Sequence, residues 1–170
     1  AFMRKKNYEC IVRMMPHVEQ NIHLVIAGSS SSSYIDELNA IAHELGVSDR
    51  VMLLPNISSN DKNWYLRHCC AFLFPSKLEG FGLPPAEAMK CGKTPFIFES
   101  TSVPEVVGEA GQYWTNESPE NMADLVNSFI VSDSHTSGEA IQASLKQAEK
   151  FSWNKMTRSY LELFRKLADK

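Results

Sequence analysis

Long apolar runs, an excess of basic charge, paired cysteines and clustered histidines are all missing from this sequence. No apolar stretch approaches the roughly 20 residues that a membrane-spanning helix needs. No charged start followed by an apolar run marks a secretory signal. Lys plus Arg number 17 against 20 for Asp plus Glu, a net charge of −3. Nucleic-acid binders usually carry a basic excess, so that class is disfavoured. The four cysteines are Cys10, Cys69, Cys70 and Cys91, with no C-x-x-C pair. That spacing reads as reduced thiols in a cytoplasmic protein rather than a disulfide framework. His17, His23, His43, His68 and His135 are scattered and show no metal-ligand spacing. No G-x-G-x-x-G follows a strand pattern, which speaks against a dinucleotide-dependent oxidoreductase. What is present is an ordinary globular composition, 44% hydrophobic and 22% charged over 170 residues. That length suits one domain with a real core.

Short apolar runs alternate with helical patterns along the chain. Phe2-Met3 reads as the tail of a strand, before the basic run Arg4-Lys5-Lys6. Tyr8, Ile11, Val12, Met15 and Val18 have helical spacing. Strands are expected at His23–Gly28, Arg50–Leu54, Ala71–Phe74, Pro95–Phe98 and Gln112–Trp114. Helices are expected at Tyr34–Leu45, from Ser59-Asn60-Asp61 to Cys69, up to Cys91, and at Val103–Val107. A further helix starts at Ser118-Pro119-Glu120, and two more run from about Ser137 to Lys150 and from Trp153 to Asp169. Continuous apolar strands separated by helices imply a parallel sheet covered on both faces. The expected fold class is therefore α/β, a Rossmann-like, doubly wound parallel sheet. Ligands in such folds bind beyond the carboxyl ends of the strands.

One of those carboxyl-end segments is rich in chemistry: Pro75-Ser76-Lys77-Leu78-Glu79-Gly80-Phe81-Gly82-Leu83-Pro84-Pro85-Ala86-Glu87. It follows a strand and opens a helix. Gly80 and Gly82 are expected to take positive φ and to let backbone approach a ligand closely. The helix start after Leu83 favours an anion, because its N–H groups and dipole point there. Glu79 in the loop and Glu87 near the first turn can face one ligand, with Glu87 favoured by the dipole. Carboxylates accept hydrogen bonds from hydroxyl-rich ligands such as ribose and hexose. A bare Gly/Pro turn with two exposed glutamates explains either residue alone, but explains the whole segment poorly.

Glu79-Gly80-Phe81-Gly82-Leu83-Pro84-Pro85-Ala86-Glu87-Ala88-Met89, then Cys91-Gly92 and Thr94-Pro95, closely resembles the E-x7-E signature of the retaining group 1 (family 4) glycosyltransferases. Ser102-Val103-Pro104-Glu105-Val106, Arg4-Lys5-Lys6-Asn7 and Asp49-Arg50-Val51 resemble further family segments. The resemblance implies the C-terminal, donor-binding half of a GT-B enzyme. Residues 1–170 are then a single Rossmann-like nucleotide-sugar-binding domain with terminal helices from about 137 to 169, and the N-terminal acceptor domain is absent. It also implies roles. Glu79 contacts the donor sugar, Glu87 the ribose, and Gly80, Phe81, Gly82 and Leu83 present backbone to sugar and diphosphate. Lys6 neutralises the diphosphate, with Arg4 as helper, and Leu54 lies near the base. The donor is a nucleotide sugar such as a UDP- or GDP-sugar, and the acceptor a glycan or lipid-linked molecule. No cofactor or metal is expected, in keeping with the lack of an Asp-x-Asp motif. The fragment alone is expected to be inactive. The full protein would be cytoplasmic, or peripheral at the inner membrane face.

Some departures and weaker signals remain. Lys93 interrupts the commoner Cys-Gly-Thr-Pro run, and Pro55 stands where Gly is frequent. Ser29–Ser33 reads as a polar loop, Lys77 as an exposed lysine, and Glu105 as a residue that could brace the site. Trp153, Met156, Tyr160, Leu161, Phe164 and Leu167 form an apolar helical stripe, expected to pack on the domain in preference to a membrane surface, with a crossing to the missing domain as the alternative the fold offers. The competing functions are a non-catalytic nucleotide-sugar-binding module and a sugar-nucleotide epimerase-like or hydrolase-like protein.

Overall fold

The computed structural model describes residues 2–29 and 32–168, with Ser32 described in its backbone alone. Among the described residues, five strands and eight α-helices follow one another in the expected alternation. A 3₁₀ turn at Arg4–Lys6 leads into α1 (Tyr8–Met14), then come β1 (Leu24–Gly28), α2 (Ser32–Glu44) and β2 (Val51–Pro55). Next are α3 (Ser59–His68), β3 (Phe72–Phe74), α4 (Leu83–Lys90), β4 (Pro95–Phe98) and α5 (Val103–Val107). The chain finishes with β5 (Gln112–Trp114), α6 (Pro119–Val131), α7 (Gly138–Ala148) and α8 (Trp153–Ala168).

All strand pairs are parallel, in two groups: β1 with β2, and β3-β4-β5 in that order. Alternation along β4 sorts the helices into two layers. Phe96 packs on one face with Phe129 of α6, in a core shared with Ile11 and Val12 of α1 and Leu38 of α2. Ile97, the next residue, packs on the other face with Val103 and Val107 of α5 and Phe74 of β3. Beyond it, Ala86 and Met89 of α4 meet Ala148 of α7. This is the doubly wound arrangement that the strand and helix patterns imply.

Three local expectations are corrected. Phe2-Met3 is not part of a strand. Phe2 is fully buried and its N–H donates to the Ser29 carbonyl at 2.9 Å. Met3 is extended, but the chain then coils into the 3₁₀ turn, so no ladder builds. The α3 cap is Ser58 rather than the Ser59-Asn60-Asp61 run. Its hydroxyl accepts from the Asp61 N–H, and the Asp61 carboxylate returns the bond, a capping box. The stripe on α8 does not pack on the fold: no described residue of α8 is buried, and Trp153 is 70% exposed. Within the Ser29–Ser33 loop, Ser30 and Ser31 lie outside the described residues, as do the Asp169 end of the last helix and the side chain of Ser32.

At the amino end of β2, Arg50 is buried. Its guanidinium donates to the carbonyls of Met15 at 2.7 Å, Val18 at 3.2 Å and Glu19 at 3.1 Å. Met15 also accepts from the Val18 N–H and Glu19 from the Ile22 N–H, so the cation gathers three carbonyls at and just past the end of α1 and its 3₁₀ extension, and is the partner of the Val18 carbonyl.

Candidate nucleotide-sugar site

The site stands at the opposite, carboxyl end of the strands. Asn7 begins its construction. It sits in the left-handed region at φ 55°, where the 3₁₀ turn ends and α1 begins. Asn tolerates that conformation better than most residues. This sharp joint aims Lys6 inward, half-buried, at the loop after β3. There the Lys6 ammonium meets the Glu79 carboxylate at 2.5 Å, across 73 residues of sequence. Both side chains are about 15% exposed, at 15% and 14%. Lys6 also lies over the Phe74 ring, 5.4 Å from its centroid.

The loop carrying Glu79 is braced from two sides. The Lys5 carbonyl accepts from the Lys77 N–H at 3.2 Å and from the Ser76 hydroxyl at 3.3 Å. After β4, Thr101 accepts from the Glu79 N–H at 3.3 Å, while Ser102 donates to the Glu79 carbonyl at 3.2 Å. Burial works to raise the Glu79 carboxyl pKa. Hydrogen bonds from Lys6 and Ser76, with the charges of Lys6 and Lys5, outweigh it and hold the group below its usual value. Burial also pushes the neighbouring Tyr8 hydroxyl up to about 12, with help from Tyr34 and the Glu79 charge.

Gly82 caps α4 at φ 97°, in the left-handed region that its lack of a Cβ permits. Gly80 does not share this: its φ is not positive, and a Cβ there would meet open space. The expectation of positive φ therefore holds for Gly82 and fails for Gly80, whose neighbours impose no constraint on it. Pro84 and Pro85 remove two of the N–H groups that a helix start normally offers. The Ala86 N–H is bonded back to the Gly82 carbonyl at 3.3 Å. The N–H groups of Gly80, Phe81, Gly82 and Leu83 meet no acceptor among the described residues. They form a compact run of donors beside the Lys6–Glu79 pair.

Glu87 is the fifth residue of α4, one turn in, and no acidic residue occupies the first turn. The macrodipole falls off within that turn, so the expected dipole support is lost. Its carboxylate instead holds Lys62 of α3 at 2.9 Å, with both side chains nearly half exposed. A cavity of about 700 Å³ opens here, lined at this end by Lys6, Tyr8, Ile57, Lys62, Pro84 and Glu87. Arg4 points elsewhere, pairing with Glu37 at 2.6 Å and lying over Tyr34 on α2. Leu54 sits in β2 opposite Ala27, and Ile57, not Leu54, lines the cavity. Phe81 is 43% exposed and meets Phe151 edge to face at 5.6 Å. Lys77 pairs with Glu117 at 2.8 Å on the surface, and Glu105 is exposed on α5. Thr101, Ser102 and Lys62 were given no role in the sequence reading, although Ser102 begins the Ser102–Val106 segment noted there. The first two lie in a carboxyl-end segment that the fold class already marks, whereas Lys62 carried no such signal.

Similarity to known proteins agrees with this geometry. The family described as "Glycosyl transferases group 1" matches residues 1–148. The chain belongs to the group 1 glycosyl transferases. Among curated relatives of this group 1 chain, the serotype-specific mannosyltransferase WbdA of Escherichia coli is 29% identical over 172 residues, covering 96% of this chain and 20% of that protein. A D-inositol 3-phosphate glycosyltransferase of Mycolicibacterium gilvum is 32% identical over 139 residues, covering 78% and 30%. Anabaena Alr3699/HepE, solved in complex with UDP and glucose, superposes with a TM-score of 0.86 at 20% identity, covering 96% of this chain and 46% of that one. Sucrose-phosphate synthase from Thermosynechococcus elongatus gives 0.88 at 20% identity, covering 99% and 44%. These likenesses establish the shared GT-B-type α/β fold. The group 1 chain spans less than half the length of each of these proteins. No helix among its described residues is long and apolar enough to cross a membrane.

Proposed function

We propose that this group 1 glycosyl transferase chain binds the nucleotide-diphospho-sugar donor of a retaining transferase, which passes the sugar to a glycan or lipid-linked acceptor held by a second domain. The observation that carries the reading is the Lys6–Glu79 pair set beside four N–H groups without acceptors. A diphosphate arriving there competes with Glu79 for the Lys6 ammonium. It also meets the N–H groups of Gly80 to Leu83. The released Glu79 carboxylate accepts from the hydroxyls of the donor sugar, and Glu87, freed from Lys62, from those of the ribose. Arg4 helps only by leaving Glu37, and Leu54 contributes to the base pocket through β2 and the Ile57 turn.

Charge builds on the diphosphate as the glycosidic bond breaks. Lys6 and the fixed N–H dipoles stabilise it where it develops, without reorganisation. The same fixed donors make a metal unnecessary for holding the diphosphate. The acceptor oxygen attacks from the face the diphosphate leaves, so the anomeric configuration is retained with no protein nucleophile. UDP and glucose in the complex of HepE support the donor class. Without the second domain, the chain binds donor but does not transfer sugar.

Calorimetric titration of the chain with UDP, GDP and ADP, with and without Mg²⁺, tests this reading. Binding to one nucleotide is expected, unchanged by Mg²⁺ and weakened by Glu87→Ala. Lys6→Ala removes a charge-assisted contact worth about 1.5–3 kcal/mol, so affinity falls tenfold or more. Wild-type affinity in Lys6→Ala would remove the diphosphate assignment. Absence of binding in both this chain and a two-domain version would sink the donor reading itself.

A further inference from the structure

Among the described residues, four that are not glycine take positive φ: Asn7, Asn56, Thr101 and Asp133. Asn and Asp enter the left-handed region at little cost, because their short polar side chains bond locally. Thr101, at φ 50°, is β-branched, and for such a residue this conformation is an outlier. Strain of this kind persists only where the surroundings impose it, and it collects at working sites. The surroundings of Thr101 are the loop that carries Glu79.

The chain turns sharply after β4, where the Ser100 N–H donates to the Phe98 carbonyl, two residues back, at 2.8 Å. From that turn three successive hydroxyls reach the main chain of the loop after β3. Ser100 donates to the Ser76 carbonyl at 3.2 Å, Thr101 accepts from the Glu79 N–H at 3.3 Å, and Ser102 donates to the Glu79 carbonyl at 3.2 Å. In a strand, the middle one of three successive side chains points away from the other two. The left-handed residue in the middle lets all three serve one side.

Glu79 is thus gripped twice, at its N–H and at its carbonyl. With both ends of the residue tied, the direction of its side chain is set, and that side chain meets Lys6. Ser76, buried at 2% exposure, fixes the same loop from behind by donating to the Lys5 carbonyl. A left-handed turn alone does not call for threonine, since glycine makes it without strain. What glycine lacks is the hydroxyl that accepts from Glu79.

We infer that Thr101 is a positioning residue for the donor sugar, a role that rests on the donor reading proposed above. Its strained backbone keeps its hydroxyl on the Glu79 N–H, and so fixes the Glu79 carboxylate where the sugar hydroxyls arrive. Thr101 acts through Glu79 and takes no part in holding the nucleotide.

Three substitutions separate the hydroxyl from the β-branch. Thr101→Ser keeps the hydroxyl, Thr101→Val keeps the branch, and Thr101→Gly keeps neither. Thermal melts need no nucleotide. Thr101→Val, still strained and without the bond, is expected to melt about 2–4 °C below wild type. Thr101→Gly loses the same bond but sheds the strain, and is expected to melt above Thr101→Val. Calorimetry with UDP and UDP-glucose, and with GDP and GDP-mannose, then compares each nucleotide with its sugar conjugate. In Thr101→Val and Thr101→Gly the conjugate should weaken by about threefold to tenfold relative to the free nucleotide, while Thr101→Ser keeps the wild-type ratio. The glycine variant then combines the better fold of the two with the poorer grip on sugar, which a merely structural threonine would not produce. The role of Thr101 is overturned, and the donor reading left standing, by an unchanged ratio in Thr101→Gly. Melting of Thr101→Gly at or below Thr101→Val does the same, as does a wild-type chain that binds a nucleotide but neither conjugate. Failure to bind any of the four ligands, in this chain and in a two-domain version, overturns the donor reading itself and this role with it.

Discussion

Two buried or half-buried cations, Arg50 and Lys6, stand at opposite ends of the parallel strands and are used in opposite ways. Arg50 is wrapped by three backbone carbonyls, of which those of Met15 and Glu19 also accept from the N–H groups of Val18 and Ile22. Lys6 is engaged by a single side-chain carboxylate, Glu79. Carbonyls at a helix end cannot move away without unwinding the helix. A carboxylate on a loop can rotate off and be replaced by another anion. The amino end of the sheet therefore holds a charge that builds the fold, and the carboxyl end holds one whose partner is free to rotate away.

The contrast breaks first at Arg50. Arg50→Ala removes the buried donor shared by the carbonyls of Met15, Val18 and Glu19, leaves Val18 without a partner among the described residues, and should destabilise the fold by about 3 kcal/mol, read from the urea midpoint. Lys6→Ala should cost the fold clearly less, while lowering nucleotide affinity. Equal losses of stability would erase the distinction between the two ends.

Two glycines of one loop sharpen the comparison further. Gly82→Ala forces a Cβ into the left-handed region at φ 97° and should cost about 1–2 kcal/mol in thermal melts. Gly80→Ala meets open space, so its effect on stability should stay within about 0.5 kcal/mol. If the donor diphosphate passes close to this backbone, Gly80→Ala will still weaken nucleotide binding. A methyl group that leaves both properties untouched would show that the ligand keeps its distance there.

The smallest effect lies in acid. The folded Glu79 carboxyl sits below its ordinary value of 4.5, so its contribution to stability is present above that value and fades as pH falls through the folded one. Glu79→Gln should flatten the stability profile between about pH 5 and about pH 2, with no change in slope near neutrality. A profile parallel to wild type throughout would mean that the pair with Lys6 is not formed in solution.

The local elements were largely legible in the sequence, because their signals are local. Pro95 to Phe98 and Gln112 to Trp114 are strands where apolar runs place them, and Gly46 and Gly92 take the positive φ that ends a helix. The E-x7-E segment was legible too, through its loop-to-helix setting. What escaped were partnerships over long separations. Glu87 looked supported by its helix dipole, but Lys62, 25 residues away, provides the charge. Arg4 looked like a diphosphate ligand, yet Glu37 and Tyr34 hold it on α2. The stripe on α8 satisfied every rule for packing and still faces outward, because periodicity says which side is apolar and not what lies against it.

The contact between Phe81 and Phe151 ties these regions into one lever. Phe81 belongs to the loop whose N–H groups meet no acceptor among the described residues, and Phe151 lies in the short joint between α7 and α8. A ligand that pulls the loop toward itself draws on that ring pair. The pull arrives at the pivot of a 16-residue arm whose apolar side is uncommitted. Any displacement of that loop would therefore be felt at the base of α8 before anywhere else on that helix.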